Sequence, residues 1–262
     1  QANLLLSLLE PTIVEVQAPF GGAFHAKIWV LRFADPVEGS RRLLRLGVLT
    51  RNLTADRSWD LALQLEGEPS DRAVAANREL AEFVRDLPEF AVGPVADARR
   101  QAAAELGDDL GRTRWELPGK WEEVSFQALG RTRQAWPPPT SSRLAVVSPF
   151  LGSEALKALA RTTQSPVALI SRPEALLELE PGVRATFGAC WCLDEAAETE
   201  DGEESSSQDQ QGLHAKAYVL ERGWYSHLIL GSANATDAAL LHGTNVEVLA
   251  ELRGRQIGRA HV

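Results

Sequence analysis

The sequence predicts an α/β protein built from two pseudo-symmetric halves, each forming an α/β/α sandwich lobe. The apolar runs at 144–150 and 166–170 are typical of buried parallel strands, and they alternate with short segments that favour helices. In addition, three blocks of sequence recur in the same order in the two halves, which indicates a duplicated half-domain. The chain has 262 residues, which is enough to bury a substantial core in such a fold.

The first half, residues 1–135, is predicted to contain strands followed by helices. Strands are expected at 12–17, 24–33 and 43–50, helices near 70–86 and 94–106, and further strands around 115 and 124. Three consecutive prolines within 131–143 exclude a helix or a central strand there and favour an extended connector. We therefore expect a proline-rich linker at 136–143.

The second half, residues 144–255, alternates between strands and helices. Strands are expected at 144–148, 167–170, 213–220 and 228–230, and helices at 153–160 and 173–179. Residues 194–211 lack apolar periodicity and hold eight acidic residues, so a disordered acidic loop is predicted. Outside this loop, 28 acidic and 27 basic residues nearly balance, and the net charge of −9 does not exclude a nucleic-acid partner.

The two ends and the cysteines set further expectations. The chain has no methionine and opens on Gln1, which predicts a truncated N-terminus, and residues 256–262 resemble a non-native tail. Cys190 and Cys192 have no second pair to complete a metal site, so they are expected to be buried strand residues in a reducing, cytoplasmic compartment. The sequence contains no apolar run of roughly 18 residues, and we expect no stable membrane insertion.

The strongest repeat carries a histidine and a lysine two residues apart. HAKIWVL at 25–31 matches HAKAYVL at 214–220, LTRNLT at 49–54 answers GSANAT at 231–236, and WDLALQLEG at 59–67 answers VEVLAELRG at 246–254. In a strand, His25 and Lys27 share one face about 6–7 Å apart, and so do His214 and Lys216. With only four lysines against 23 arginines in the chain, these positions favour a compact ammonium that binds a phosphate oxygen.

Small and neutral polar residues follow each repeat and are predicted to bind substrate. They are Thr50 and Asn52 in the first half and Ser232 and Asn234 in the second, which offer hydroxyl and carboxamide donors near a strand end. If the halves pack about a pseudo-twofold axis, both sets meet in one site within a monomer. Two histidines that flank one phosphorus can take different roles, since one can attack it as a nucleophile and the other can protonate the leaving oxygen as a general acid. The lysines and asparagines would meet the developing charge, so no metal or other cofactor is expected.

These residues resemble the phospholipase D superfamily, whose motif H-x-K followed by G-S-x-N is duplicated in the same way. The resemblance covers 24–67 and 144–254 and implies phosphodiester cleavage through a phosphohistidine, with His25 as nucleophile and His214 as general acid. It also implies that a carboxylate beyond each asparagine orients the histidine of its own half, a role that Glu247 fits and that Asp60 fits at a shorter spacing. Lys27 and Lys216 are then catalytic as well.

The sequence departs from the superfamily pattern at one position in each half. Arg32 and Glu221 stand where the usual aspartate follows the lysine by five residues. This loss resembles the tyrosyl-DNA phosphodiesterase branch and favours nucleic acid as substrate, DNA rather than RNA. Two alternatives stay open: a phospholipid hydrolase or transferase, and a non-catalytic module that binds phosphate or nucleic acid. Fusion to, or association with, a helicase or defence protein is a further hypothesis.

Overall fold

Two β-sheets and six α-helices make up the described part of the chain, which in this computed structural model is residues 12–37, 41–52, 58–193 and 212–255. The first sheet is antiparallel and runs in the order β1 (Ile28–Ala34), β2 (Arg42–Leu49), β3 (Ala62–Pro69) and β4 (Thr113–Glu116). The second sheet has the order β5-β11-β10-β9-β6-β7-β8. Its strands are β5 (Glu123–Leu129), β6 (Ser141–Val147), β7 (Thr163–Ile170), β8 (Cys190–Trp191), β9 (Ala217–Arg222), β10 (Tyr225–Gly231) and β11 (Glu247–Arg255).

The described residues contain six α-helices, which lie between strands in the order of the chain. They are α1 (Arg78–Asp86), α2 (Asp97–Arg112), α3 (Ser153–Arg161), α4 (Pro173–Glu178), α5 (Pro181–Arg184) and α6 (Asp237–Leu240). The predicted acidic loop at 194–211, the N-terminal residues 1–11 and the predicted tail at 256–262 lie outside the described residues.

The sequence repeat is matched by a repeat of strand pairing. In each half the strand after the H-x-K motif pairs with a second strand, which pairs with a third, always antiparallel. The residues that stand side by side are Ile28, Val48 and Leu63 in the first half and Ala217, Leu230 and Ala250 in the second. These are equivalent positions when the three repeated blocks are aligned, so the repeat extends to the register of the strands.

Two hydrophobic cores lie on opposite faces of the second sheet. The first core joins the inner face of the first sheet, including Leu44 and Leu46 of β2, to α1 and to Val248 and Ala250 of β11. The period-2 alternation along β2 places these leucines on one face. The second core packs α3 to α6 against the other face of the second sheet, around Tyr218.

Several sequence-based expectations are corrected by these elements. The strand predicted at 12–17 is an isolated bridge between Val16 and Ala91, and β3 and β11 were not predicted as strands although both lie in repeated blocks. β5 precedes the predicted linker at 136–143 yet joins the second sheet, and β6 begins inside that linker, so the linker does not separate the two sheets. Cys190 begins β8 and is partly buried, whereas Cys192 is exposed, contrary to the expectation of two buried cysteines.

The two sheets differ in how the face turned away from the first core is packed. Trp29, Leu31 and Phe33 project from the face of β1 that is turned away from the core, and each is between 38% and 51% exposed. Their equivalents at the start of β9, Tyr218 and Leu220, are completely buried in the second core. A helix layer on both faces, as predicted for each lobe, is therefore absent from the first sheet among the residues that the structure describes.

Candidate active site

Each H-x-K motif is placed by backbone pairing with the opposite half of the chain. His25 and Lys27 immediately precede β1, and the His25 N–H donates to the Val246 carbonyl at 2.8 Å, at the start of β11. In the second half, the His214 N–H donates to the Trp59 carbonyl at 2.7 Å, just before β3. The exchange is reciprocal, and it brings the two motifs together at the junction of the two sheets.

Glu247 contacts the histidine of the other half. Its completely buried carboxylate lies 2.9 and 3.1 Å from Nδ1 of His25, and the Asn245 amide donates to it at 3.3 Å. The expectation that Glu247 orients His214, the histidine of its own half, is therefore wrong. The reason is the crossed pairing, because the strand that carries Glu247 runs beside the first motif.

Asp60 occupies the equivalent position in the first half but does not play the equivalent part. Its carboxylate forms an ion pair with Arg51 at 3.1 Å and is 36% exposed, so it does not orient His25 as predicted. Nδ1 of His214 instead lies 3.2 Å from the Thr50 carbonyl and 3.0 Å from Nζ of Lys216. The two histidines thus have chemically different partners at Nδ1: a carboxylate in one case, a carbonyl and an ammonium in the other.

Both lysines of the repeat are buried at the site. Lys216 is completely inaccessible and donates to the carbonyls of Thr50 at 2.9 Å and His214 at 2.8 Å, while Lys27 is 8% exposed and donates to the His25 carbonyl at 3.0 Å. Burial and the charge of Lys27 lower the pKa of Lys216 to about 7. Burial lowers the pKa of Lys27 to about 8, and the charge of Glu247 partly offsets this effect.

The same cluster of positive charge acts on His214. Burial first, and then the charges of Lys216 and Arg172, lower the pKa of the His214 imidazole to about 4, against the weaker opposing effect of the Thr50 carbonyl. The lowered pKa values of His214, Lys27 and Lys216 describe a pocket in which burial disfavours the positive charge of these three groups. Such a pocket gains electrostatic stabilisation when an anion enters it.

Thr50 and Ser232 shape the site with their backbone environment rather than with free hydroxyls. Oγ1 of Thr50 donates to the Leu61 carbonyl at 3.1 Å and accepts from the Leu61 N–H at 2.9 Å, and Oγ of Ser232 accepts from the Val248 N–H at 3.1 Å. Both residues are completely buried, and substrate binding by their hydroxyls stays a prediction. The carbonyl of Thr50, which the sequence did not single out, is what contacts His214.

The two asparagines differ in their surroundings. Asn234 is partly buried, and its Oδ1 is buried without a hydrogen-bond partner among the described residues. A buried amide oxygen without a partner is costly, so its position is suited to a group that a ligand supplies. Asn52 is exposed in the turn after β2.

Arg172 is a charged neighbour of the site that the sequence reasoning missed. It follows the carboxyl end of β7, and its Nε donates to the carbonyl of Leu213, the residue before His214, at 2.8 Å. The available signal was its position after the apolar run 166–170, since ligands of open α/β sheets bind at the carboxyl ends of parallel strands.

The remaining buried histidine belongs to a different part of the molecule. Nδ1 of His227 lies 2.6 Å from the Glu251 carboxylate in the wall of a cavity of about 710 Å³ that contains neither H-x-K motif. Within the described ranges, no group of three His, Cys, Asp or Glu side chains is placed to hold a metal ion. Nor do these ranges contain a helix whose length and hydropathy would suit a membrane span.

Comparison with solved structures finds the same arrangement of elements in an enzyme from yeast. The crystal structure of yeast tyrosyl-DNA phosphodiesterase matches with a TM-score of 0.59 and 12% sequence identity, over 98% of this chain and 74% of the yeast chain. A histidine-to-asparagine mutant of that enzyme matches with a TM-score of 0.54 and 10% identity, over 95% of this chain and 72% of the mutant chain. The chain has the fold of tyrosyl-DNA phosphodiesterase. No family model and no curated protein sequence matches the chain.

The match to the tyrosyl-DNA phosphodiesterase structures is a likeness of fold, and it agrees with the branch that the sequence resembles. It also confirms a mixed α/β architecture with two sheets. Because sequence identity to the tyrosyl-DNA phosphodiesterase structures is only 10–12%, the roles of individual residues have to be argued from the site itself.

Proposed function

We propose that the protein is a metal-independent phosphodiesterase that acts on nucleic acid, as a nuclease or a DNA-end-processing enzyme, through a phosphohistidine. The observation that carries the proposal is the different environment of Nδ1 in the two histidines of the repeat. This difference assigns opposite tasks to two side chains that the sequence alone leaves equivalent. The tyrosyl-DNA phosphodiesterase fold supports the choice of DNA over lipid.

His25 is suited to be the nucleophile. Because a carboxylate only accepts hydrogen bonds, Glu247 holds the proton of His25 on Nδ1 and leaves the lone pair of Nε2 free. The carboxylate also stabilises the positive charge that the ring acquires when Nε2 attacks phosphorus, as the third member of a catalytic triad does.

His214 is suited to be the general acid. As an ammonium, Lys216 has three N–H groups, and three acceptors surround it: the Thr50 carbonyl, the His214 carbonyl and Nδ1 of His214. In the neutral ring Nδ1 accepts this hydrogen bond and the proton lies on Nε2, whereas in the imidazolium Nδ1 donates to the Thr50 carbonyl at 3.2 Å. A bound phosphodiester anion would offset the nearby cations and raise the pKa of His214, which favours the imidazolium that protonates a leaving oxygen.

The proposed reaction has two balanced steps. In the first, a bond forms between Nε2 of His25 and phosphorus, the bond from phosphorus to the leaving oxygen breaks, and His214 gives that oxygen a proton. In the second, His214 takes a proton from water, the resulting hydroxide attacks phosphorus, and the phosphohistidine bond breaks. Lys27, Lys216 and the side chain of Asn234 would stabilise the charge on the phosphoryl oxygens in both steps.

The test is cleavage of a fluorescent single-stranded oligonucleotide in EDTA, with His242→Ala as the control because His242 is exposed and outside the site. We expect wild type and the control to cleave, and His25→Ala and His214→Ala to be inactive although folded. With a leaving group that needs no proton, His214→Ala should accumulate phosphoenzyme and His25→Ala should not. The reverse pattern would exchange the two roles. Hydrolysis of phosphatidylcholine with the oligonucleotide left intact would refute the nucleic-acid assignment.

Three broader expectations accompany this proposal. The pseudo-symmetry of the repeated strands supports two related lobes that share one active site within a monomer. The comparisons give no support to association with a helicase. Location in the cytoplasm stays a prediction from the cysteine content.

A further inference from the structure

Arg172 and Phe150 form a second wall of the site, on the side of His214. Both residues follow parallel strands, Phe150 after β6 and Arg172 after β7, so they lie at the same edge of the second sheet. The carboxyl end of β6 pairs with Ala217, which places this edge directly beside Lys216. The guanidinium of Arg172 lies over the Phe150 ring, 5.1 Å from its centroid, and Phe150 is 49% exposed.

The charge of Arg172 is held in place without being neutralised. Its two contacts, the Leu213 carbonyl and the Phe150 ring, are both uncharged, and it forms no ion pair with a carboxylate of the described residues. By contrast, Arg51, which follows Thr50 in the chain, is paired with Asp60. The charge of Arg172 reaches the active site, since it contributes to lowering the pKa of His214 and Lys216. A fixed guanidinium that has no carboxylate partner among the described residues, beside two buried lysines, favours the binding of an anion.

We propose that Arg172, positioned by Phe150, binds the phosphate next to the scissile phosphate in a polynucleotide. The scissile phosphate itself is taken by the histidines and lysines of the repeat, whereas Arg172 is anchored one residue outside the motif, at Leu213. A guanidinium is suited to this position because its planar fork binds two oxygens of one phosphate. The exposed half of Phe150 offers a surface on which the intervening base can stack.

This inference rests on the proposed function and gives it a source of selectivity. A polynucleotide presents a second phosphate to Arg172, whereas a phospholipid such as phosphatidylcholine has a single phosphate. The subsite therefore predicts a preference for substrates with at least two consecutive phosphates.

The first measurement is the salt dependence of binding for a fluorescent single-stranded oligonucleotide, which needs no turnover. We expect Arg172→Gln to bind about tenfold more weakly at low salt and to lower the slope of log Kd against log salt by about 0.7, the value for one lost phosphate contact on a single strand. Arg172→Lys should keep the slope, because it keeps the charge. Arg161→Gln is the matched control, since Arg161 is exposed at the far end of α3. An unchanged slope in Arg172→Gln would overturn the inference.

The second measurement compares cleavage of that oligonucleotide with cleavage of a nucleoside nitrophenyl phosphodiester, which has a single phosphate. We expect Arg172→Gln to lower kcat/KM about tenfold more for the oligonucleotide than for the small substrate, because one charge-assisted contact contributes about 1.4 kcal/mol and any effect through the pKa of His214 acts on both substrates alike. Equal losses on both substrates would place Arg172 on the scissile phosphate and refute the proposal. If wild type binds but cleaves neither substrate, the proposed function fails, while the salt slope still decides the role of Arg172.

Discussion

Replacing Lys216 by methionine should make the protein more stable while it removes activity. The Lys216 ammonium is completely buried, and its three acceptors are two backbone carbonyls and an imidazole nitrogen, none of which carries a negative charge. Methionine has a similar length and no charge to bury. A protein with a buried charge that lacks an opposite partner is often less stable than the same protein with an apolar side chain of similar volume at that position.

The size of the effect follows from the pKa. Because the pKa of Lys216 falls from 10.5 to about 7 on folding, keeping this group in the folded protein costs about 4 kcal/mol at pH 7. The methionine variant lacks the hydrogen bonds of Lys216 and leaves two carbonyls unsatisfied. This loss destabilises the folded variant by about 2 kcal/mol. The variant should therefore be about 2 kcal/mol more stable at pH 7.

The same pKa sets the pH dependence. Between pH 7 and 10.5 the unfolded chain binds the Lys216 proton more tightly than the folded protein does, so the stability of wild type rises with pH in this window. By pH 9 the cost of the buried group falls to about 2 kcal/mol, and the two proteins should be nearly equal in stability. Below pH 7 both states bind the proton and the difference stays constant.

Urea denaturation of wild type and Lys216→Met at pH 7 and pH 9 measures these differences, and oligonucleotide cleavage measures the loss of function. Activity should fall by about 100- to 1,000-fold, as for the loss of one group that stabilises transition-state charge. A variant that is less stable at pH 7, or a stability difference that does not change with pH, would refute the reasoning.

Three further predictions follow from the site and the fold. Glu247→Gln should lower kcat about 100-fold or more, because His25 loses its carboxylate partner. Asp60→Asn should change kcat by no more than about threefold, because its ion pair is exposed. Similar losses of kcat in the two variants would contradict the crossed arrangement. By NMR titration, the pKa of the His214 ring should be about 4 in the free protein and should rise when inorganic phosphate binds, and a pKa unaffected by phosphate would argue against an anion site. In urea denaturation, Gly130→Ala should lower the free energy of unfolding by about 3 kcal/mol, because φ is +78° and a Cβ would lie 2.0 Å from a carbonyl oxygen. Gly119→Ala should lower it by only about 1 kcal/mol, because φ is +59° but the space around a Cβ is open. Equal losses of stability would show that the close contact is not decisive.

The histidines and lysines that meet at the site could be predicted because they lie in short repeated segments. His25 and Lys27 immediately precede β1, as His214 and Lys216 precede β9, and an extended backbone with a period of two predicts that each pair shares one face. The order of the repeated blocks also predicted that the two halves would contribute equivalent groups, and the matching strand registers support this.

The partners of those groups could not be predicted in the same way. Glu247 and Asp60 occupy equivalent positions in sequence, yet one is completely buried on His25 and the other is exposed in an ion pair with Arg51. Which carboxylate meets which histidine depends on how the halves cross. The backbone bonds of His25 to Val246 and of His214 to Trp59 decide this, and no local pattern encodes them.

The amino-acid sequence alone was sufficient to indicate an α/β fold, a duplicated motif and phosphodiester chemistry, because spacing, residue type and repetition are local properties of a chain. The tertiary structure decided which histidine faces a carboxylate, which hydroxyls contact the backbone and which arginine has no carboxylate partner among the described residues. These outcomes depend on burial and on contacts between residues up to 222 positions apart, such as His25 and Glu247. Burial and long-range contacts arise only when the chain has folded, and they place two similar motifs in two different chemical environments.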